Sequence, residues 1–295
     1  MHVDEAAIDT ALVRRLVSAQ FPEWASLPIE SVASSGTDNA LYRLGDQLVA
    51  RLPRIDSAAK QADKEHRWLP RLAPLLPLPI PSPVAIGHPA EGYPWAWSVY
   101  RWLPGEAATG STSADPARSA HALAEFVCAL QRIDPSEGPS PGEHNFFRGD
   151  PLATRDPLVR EAIAALDGVI DTAAASRAWQ AALDARDWDR APVWIHGDLH
   201  GGNLLVDQGM VSAVIDFGGL AVADPACDLM VAWTYLPAGA REAFRDGVSC
   251  DDDAWARGRG WALSMALIAI PYYTRTNPKF AAEARRWLHE VLIDQ

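Results

Sequence analysis

The period of the apolar positions changes partway along this 295-residue chain. Ile8, Leu12, Leu16 and Val17 recur at helical spacing and predict a helix over residues 4–20. Residues 29–33 then read as a strand. Residues 39–44 and 47–52 read as two more, joined at Gly45-Asp46, a two-residue hairpin signal. A helix is predicted over 57–72 and two further strands over 84–87 and 95–103. The stretch 70–83 holds six prolines, which regular helix does not tolerate. The N-terminal third thus predicts a sheet of five strands with one long helix.

Beyond Leu103-Pro104-Gly105, read as a hinge, helical spacing dominates, as in Leu123, Phe126, Val127, Leu130 and Ile133. Helix starts are marked by a capping residue followed by proline: Asp115-Pro116, Asp156-Pro157, Asp224-Pro225 and Asn277-Pro278. Residues 135–150 read as loop. The expected organisation is α+β, with a β-rich lobe over 1–103 and a larger, mainly helical lobe over 104–295. One polar hairpin, within 193–218, is embedded in the second lobe.

Composition narrows the function classes. A net charge of −12 argues against a nucleic-acid-binding face, which needs clustered Lys and Arg. Cys128, Cys227 and Cys250 have neither disulfide nor metal-ligand spacing, which favours a reducing compartment. Asp4, Glu5 and Asp9 take the place of the basic region of a signal peptide. The apolar run 261–270 is far short of the ~20 residues that cross a bilayer. The expectation is a cytoplasmic protein with no membrane partner, acting as a monomer or weak dimer.

The chemistry concentrates in 193–218, VWIHGDLHGGNLLVDQGMVSAVIDFG. A buried strand ending in His196-Gly197-Asp198 delivers polar groups to a loop. Residues 203–207, a turn at Asp207-Gln208-Gly209 and residues 210–217 form a hairpin that returns Asp216 to Asn203. One carboxylate to receive a proton and an amide–carboxylate pair to hold Mg²⁺ are the parts of phosphoryl transfer from a nucleotide. A hydrolase lacks support: there is no G-x-S-x-G elbow and no H-E-x-x-H motif.

H-G-D-x-x-x-x-N followed by I-D-F-G closely resembles the aminoglycoside phosphotransferase family, antibiotic kinases with a two-lobe protein-kinase-like fold. The resemblance covers most of the chain. It implies Asp198 as catalytic base, Asn203 and Asp216 as Mg²⁺ ligands, and His196 and Asp228 as supports of the catalytic loop. It implies ATP or GTP as co-substrate, with Ser35, Gly36 and Thr37 over the phosphates. Tyr100 would line the adenine pocket, with the backbones of Arg101 and Leu103 on the base. The strand lysine usual in kinases is missing; Arg51 is the strand cation here, and Glu65 its expected partner.

The acceptor is a small hydroxylated molecule, with an antibiotic of the aminoglycoside, macrolide or nucleoside type expected first. The acidic residues Glu242, Asp246, Asp251, Asp252 and Asp253 could meet ammonium groups, although Asp253 also reads as the cap of a helix from Trp255. Trp233, Trp261, Tyr272 and Tyr273 could instead line a pocket for an apolar acceptor. A metabolite kinase of the choline or homoserine type and a nucleotide-binding pseudokinase are the rival readings.

Overall fold

In a computed structural model, residues 6–33, 38–109 and 113–294 are described, Ser57 by its backbone only. The chain divides into two compact units, one made of 1–74 and 79–104, the other of 75–78 and 105–295.

The first unit opens with α1 (Thr10–Gln20), which starts where Asp9 caps it through the Leu12 N–H at 2.7 Å, so the helix is shorter than its apolar spacing predicts. Five strands follow: β1 (Ile29–Val32), β2 (Asn39–Leu44), β3 (Leu48–Pro53), β4 (Pro83–Gly87) and β5 (Trp97–Arg101). They form an antiparallel sheet in the order β1-β2-β3-β5-β4. Leu44 pairs with Leu48, so Gln47 joins Gly45 and Asp46 in the turn. Alternation sends Ala40, Tyr42 and Leu44 to one face, where Leu12, Val13, Leu16 and Val17 of α1 join the same core. Each such buried aliphatic side chain contributes about 1.5–3 kcal/mol. The predicted long helix is interrupted at Lys60, giving α2 (Asp56–Ala59) and α3 (Gln61–Leu72).

The second unit carries α4 (Pro116–Gln131), α5 (Asp156–Ala165), α6 (Thr172–Leu183), α7 (Val231–Thr234), α8 (Ala238–Val248), α9 (Asp252–Thr276) and α10 (Pro278–Ile293), with the described short strands β6 (Glu106–Ala107), β7 (Val193–Ile195), β8 (Leu204–Asp207), β9 (Met210–Val214) and β10 (Ala221–Ala223). Trp179, Trp194, Trp233, Trp261 and Trp287 are fully buried here. Asp115 and Asn277 cap α4 and α10 as predicted. Asp156 instead lies inside α5 and bonds Arg160 and Trp179. Asp224 caps a 3₁₀ turn, Pro225–Met230, rather than an α-helix. The cap of α9 is Asp251, not Asp253.

Two strand pairings set up the site. β7 pairs antiparallel with β10, Ile195 opposite Ala221. β8 and β9 form a hairpin in which Asp207 pairs with Met210. Its two turn residues, Gln208 (φ 49°) and Gly209 (φ 77°), both have positive φ, the geometry whose twist matches the flanking strands.

Candidate active site

β7 ends at Ile195, and the next three residues are held from every side. Asp228, fully buried, accepts from the N–H groups of His196 (2.7 Å) and Gly197 (2.8 Å). The His196 ring donates from Nε2 to Ile215 O (3.0 Å), accepts at Nδ1 from the Asp198 N–H (3.2 Å), and packs on Phe217. This fixes one neutral tautomer, and burial lowers the imidazole pKa to about 4. Gly197 has φ 77°, and a Cβ there would lie 2.3 Å from Gly219 O, so no other residue fits without displacing backbone.

Asp198 follows, with 21% of its side chain exposed. Its carboxylate forms an ion pair with Arg148, and His200 Nε2 lies 3.7 Å from Oδ2. Burial pushes the Asp198 carboxyl pKa up, but the Arg148 guanidinium and then His200 outweigh it and hold the group well below the usual carboxylate range. Asn203 Nδ2 donates to the Asp198 carbonyl (2.9 Å) and to its Oδ2 (3.1 Å).

The hairpin brings the next pair together. Ile215 N–H donates to Asn203 O at 2.9 Å, which sets Asp216 beside the start of β8. Asp216 has φ 62° and ψ 74°, a left-handed backbone that costs a non-glycine residue about 1–3 kcal/mol and that Asp adopts more readily than most residues. The Asn203 side-chain nitrogen is committed to Asp198, which leaves the amide oxygen as the acceptor that Asn203 can offer a metal. One amide oxygen and one carboxylate suit Mg²⁺, which takes few protein ligands and draws the rest from phosphate and water.

In the first unit, Arg51 and Glu65 meet as expected: Nη1 lies 2.6 and 2.8 Å from the two carboxylate oxygens. Nη2 also reaches Gln61 Oε1 (3.3 Å), and the Asn39 amide, once turned so that its oxygen faces the guanidinium, accepts from Nε (3.2 Å) and Nη2 (3.0 Å). Tyr100 is buried, its hydroxyl donates to Glu65, and with Arg51, Gln61 and Glu65 it lines a small cavity on this face of the sheet. The Arg101 N–H donates to Ser82 O at 2.9 Å. That uses one of the two backbone groups of Arg101 expected to be available to a base. Ser35, Gly36 and Thr37 lie outside the described residues.

The residues suggested for the acceptor do not form one surface. Trp233 and Trp261 are fully buried: Trp233 donates to Asp294 and packs on Trp255, and Trp261 lies under Arg155. Neither has a face to present to a small molecule. Tyr272 is exposed and touches Tyr273, which contacts Phe280. Glu242 and Asp246 are exposed on α8. Asp251 and Asp253 pair with Arg186, and Asp252 with Arg245, so arginines offset much of the acidic cluster.

Sequence reasoning missed Arg148. It lies fifty residues before Asp198, in a stretch with no periodicity. Phe146, Phe147 and Gly149 around it all have positive φ. A backbone-strain pattern of this kind leaves no signature in residue type apart from the glycine.

A sequence model described as the phosphotransferase enzyme family matches residues 30–261. The chain belongs to that family and has its α+β kinase-like fold. The chain is also similar to solved structures at 15–22% identity. The GDP and kanamycin complex of APH(2")-IIia superposes with a TM-score of 0.73 at 21% identity, covering 96% of this chain and 99% of the other. Macrolide 2'-phosphotransferase MphH from Brachybacterium faecium superposes with a TM-score of 0.59 at 21% identity, covering 97% and 99%. The ADP-bound APH(2'')-Ib gives 0.61 at 15%, covering 96% and 98%. No curated protein matches the chain's sequence.

Proposed function

We propose that this protein is an antibiotic kinase that transfers the γ-phosphoryl group of ATP or GTP to an acceptor hydroxyl. The observation that carries the reading is the convergence of Asp198, Asn203 and Asp216 on one strand, loop and hairpin of a phosphotransferase-family chain. The solved structures it resembles include a kanamycin complex and a macrolide phosphotransferase, which supports an antibiotic acceptor over a choline- or homoserine-type metabolite.

The acceptor oxygen forms a bond to the γ-phosphorus as the bond to the β-bridging oxygen breaks. The acceptor proton passes to the Asp198 carboxylate, and a nucleoside diphosphate leaves. Asp198 is kept ionised by Arg148, so its first task is to aim the hydroxyl; its low basicity suits a loose transition state in which the proton moves late. Asn203 and Asp216 would hold Mg²⁺, which neutralises phosphate charge when bound. Arg51, set by Glu65, would serve the phosphates, and the Arg101 carbonyl and Leu103 N–H the base. The first unit would then be the nucleotide-binding lobe and the second the catalytic and acceptor-binding lobe. The proposed setting is the cytoplasm, where both nucleotides are available, with the protein a monomer or weak dimer.

Incubating the protein with ATP or GTP and a panel of aminoglycosides, macrolides, nucleoside antibiotics and hydroxylated metabolites should give a mass gain of one phosphoryl group on an antibiotic. Asp198→Ala should lose roughly 10²–10⁴-fold in turnover while still binding nucleotide. Nucleotide binding with no transfer by the native protein would favour a pseudokinase.

A further inference from the structure

The loop over 139–149 is attached along its length to the elements that present Asp198. Val222 N–H donates to Pro139 O (2.7 Å) and Asp224 N–H to Gly149 O (3.2 Å), so both ends lie on β10 and the turn after it. Gly149 has φ 86°, and a Cβ there would meet Ala223 Cβ at 2.3 Å and Ile195 Cδ1 at 2.7 Å. Between these ends Asn145, fully buried, accepts from Gly142 N–H (2.9 Å) and donates to Arg148 O (2.9 Å) and Gly219 O (3.3 Å). Asn145 therefore ties the Arg148 backbone to the Asp216-Phe217-Gly218-Gly219 turn. The Arg148 side chain reaches the other way: Nη1 donates to Gly197 O (3.0 Å) and pairs with Asp198. One short loop thus holds both halves of the candidate site.

We propose that Arg148 is a positioning residue for phosphoryl transfer, fixing the Asp198 carboxylate in the orientation that receives the acceptor hydroxyl. This rests on the reading of Asp198 as the catalytic carboxylate. Nη1 alone meets both the Gly197 carbonyl and one oxygen of the Asp198 carboxylate, so anchoring on the carbonyl keeps the positive charge against that oxygen. Asn203 grips the other oxygen through Nδ2. Held from two sides, the carboxylate loses its rotameric freedom before the acceptor arrives, which is how a residue that never touches substrate affects the chemical step.

The test compares Arg148→Met, Arg148→Lys and Asp198→Asn in the full-length protein with Mg²⁺ and ATP or GTP. It measures transfer to kanamycin or, where kanamycin is not phosphorylated, to water. Arg148→Met should lower kcat roughly 10–100-fold with the nucleotide KM changed less than about twofold. Arg148→Lys should recover part of the loss, because it restores a cation and one donor. A thermal melt accompanies each variant. Full kcat in Arg148→Met while Asp198→Asn is inactive overturns this inference and leaves the Asp198 reading standing. So does a loss that follows the melting temperature and is not relieved by lysine. Full turnover in Asp198→Asn overturns both.

Discussion

At position 51 a guanidinium sits among three oxygens, two from Glu65 and one from Gln61, and the Asn39 amide supplies a fourth when its oxygen is turned inward. A lysine ammonium on a flexible stem could serve Glu65 but could not also span both amides, since its donors radiate from one point. Arginine is therefore the residue that this strand–helix pair is built around, and Tyr100 on Glu65 closes the set. Burial first, and the neighbouring carboxylate second, push the Tyr100 hydroxyl pKa up, so it stays a donor. Arg51→Ala should raise the nucleotide KM or lower kcat by roughly tenfold or more, and Arg51→Lys should not restore full kcat/KM. Steady-state kinetics with ATP and GTP decide this. Native kinetics in the alanine variant would remove Arg51 from the nucleotide site. Its pairing with Glu65 followed from the family resemblance, which supplies a cation on the third strand and a glutamate on the helix after it. Gln61 and Asn39 were not legible, because neutral amides carry no charge signal, and Arg148 was not, because nothing local marks a loop arginine as the partner of a distant aspartate.

Between elements, a buried bidentate ion pair fastens the longest helix to the segment that follows the hairpin. Arg257 of α9 donates from Nε to Asp224 Oδ2 (2.8 Å) and from Nη2 to Oδ1 (3.2 Å), with side chains only 3% and 7% exposed. Asp224 also caps the 3₁₀ turn through the Ala226 N–H, and that turn carries Asp228. The Asp-Pro pair thus reads correctly as a cap, while its second role depends on a residue thirty-three positions away. The five-stranded sheet, the hairpin and the starts of α4 and α10 were legible because they rest on local periodicity and turn chemistry. The break at Lys60 and the 3₁₀ form of 225–230 depend on packing and were not. Arg257→Met strands a buried carboxylate and should cost about 3–5 kcal/mol in urea denaturation. Adding Asp224→Asn, which keeps a capping oxygen, should return part of that loss. Strict additivity of the two would show that they do not interact.

For the molecule as a whole, stability at mildly acidic pH depends on two opposed buried groups, His196 after β7 and Asp228 in the turn that holds its backbone. His196 is neutral in the fold with its pKa lowered to about 4, chiefly by burial. The unfolded chain takes up that proton near 6.5, so the contribution of His196 is fully present above 6.5 and is lost as pH falls toward 4. Asp228 works in the other direction. Burial raises its pKa to about 7 against the bonds from two N–H groups, so its contribution is present below about 4 and is lost as pH rises through 7. Over one window the two offset each other, and a flat native profile would hide both. His196→Asn removes one side. Its stability is lower than native at pH 7, where it lacks the ring's bonds to Ile215 and Asp198. Between pH 7 and 4.5, however, it should lose about 2 kcal/mol less than the native protein does, or gain where the native profile is flat. Urea midpoints for both proteins at the two pH values measure the difference. Parallel profiles would mean that His196 exchanges no proton on unfolding in this range, and the neutral, doubly bonded ring would have to be abandoned as the reason the loop holds its shape.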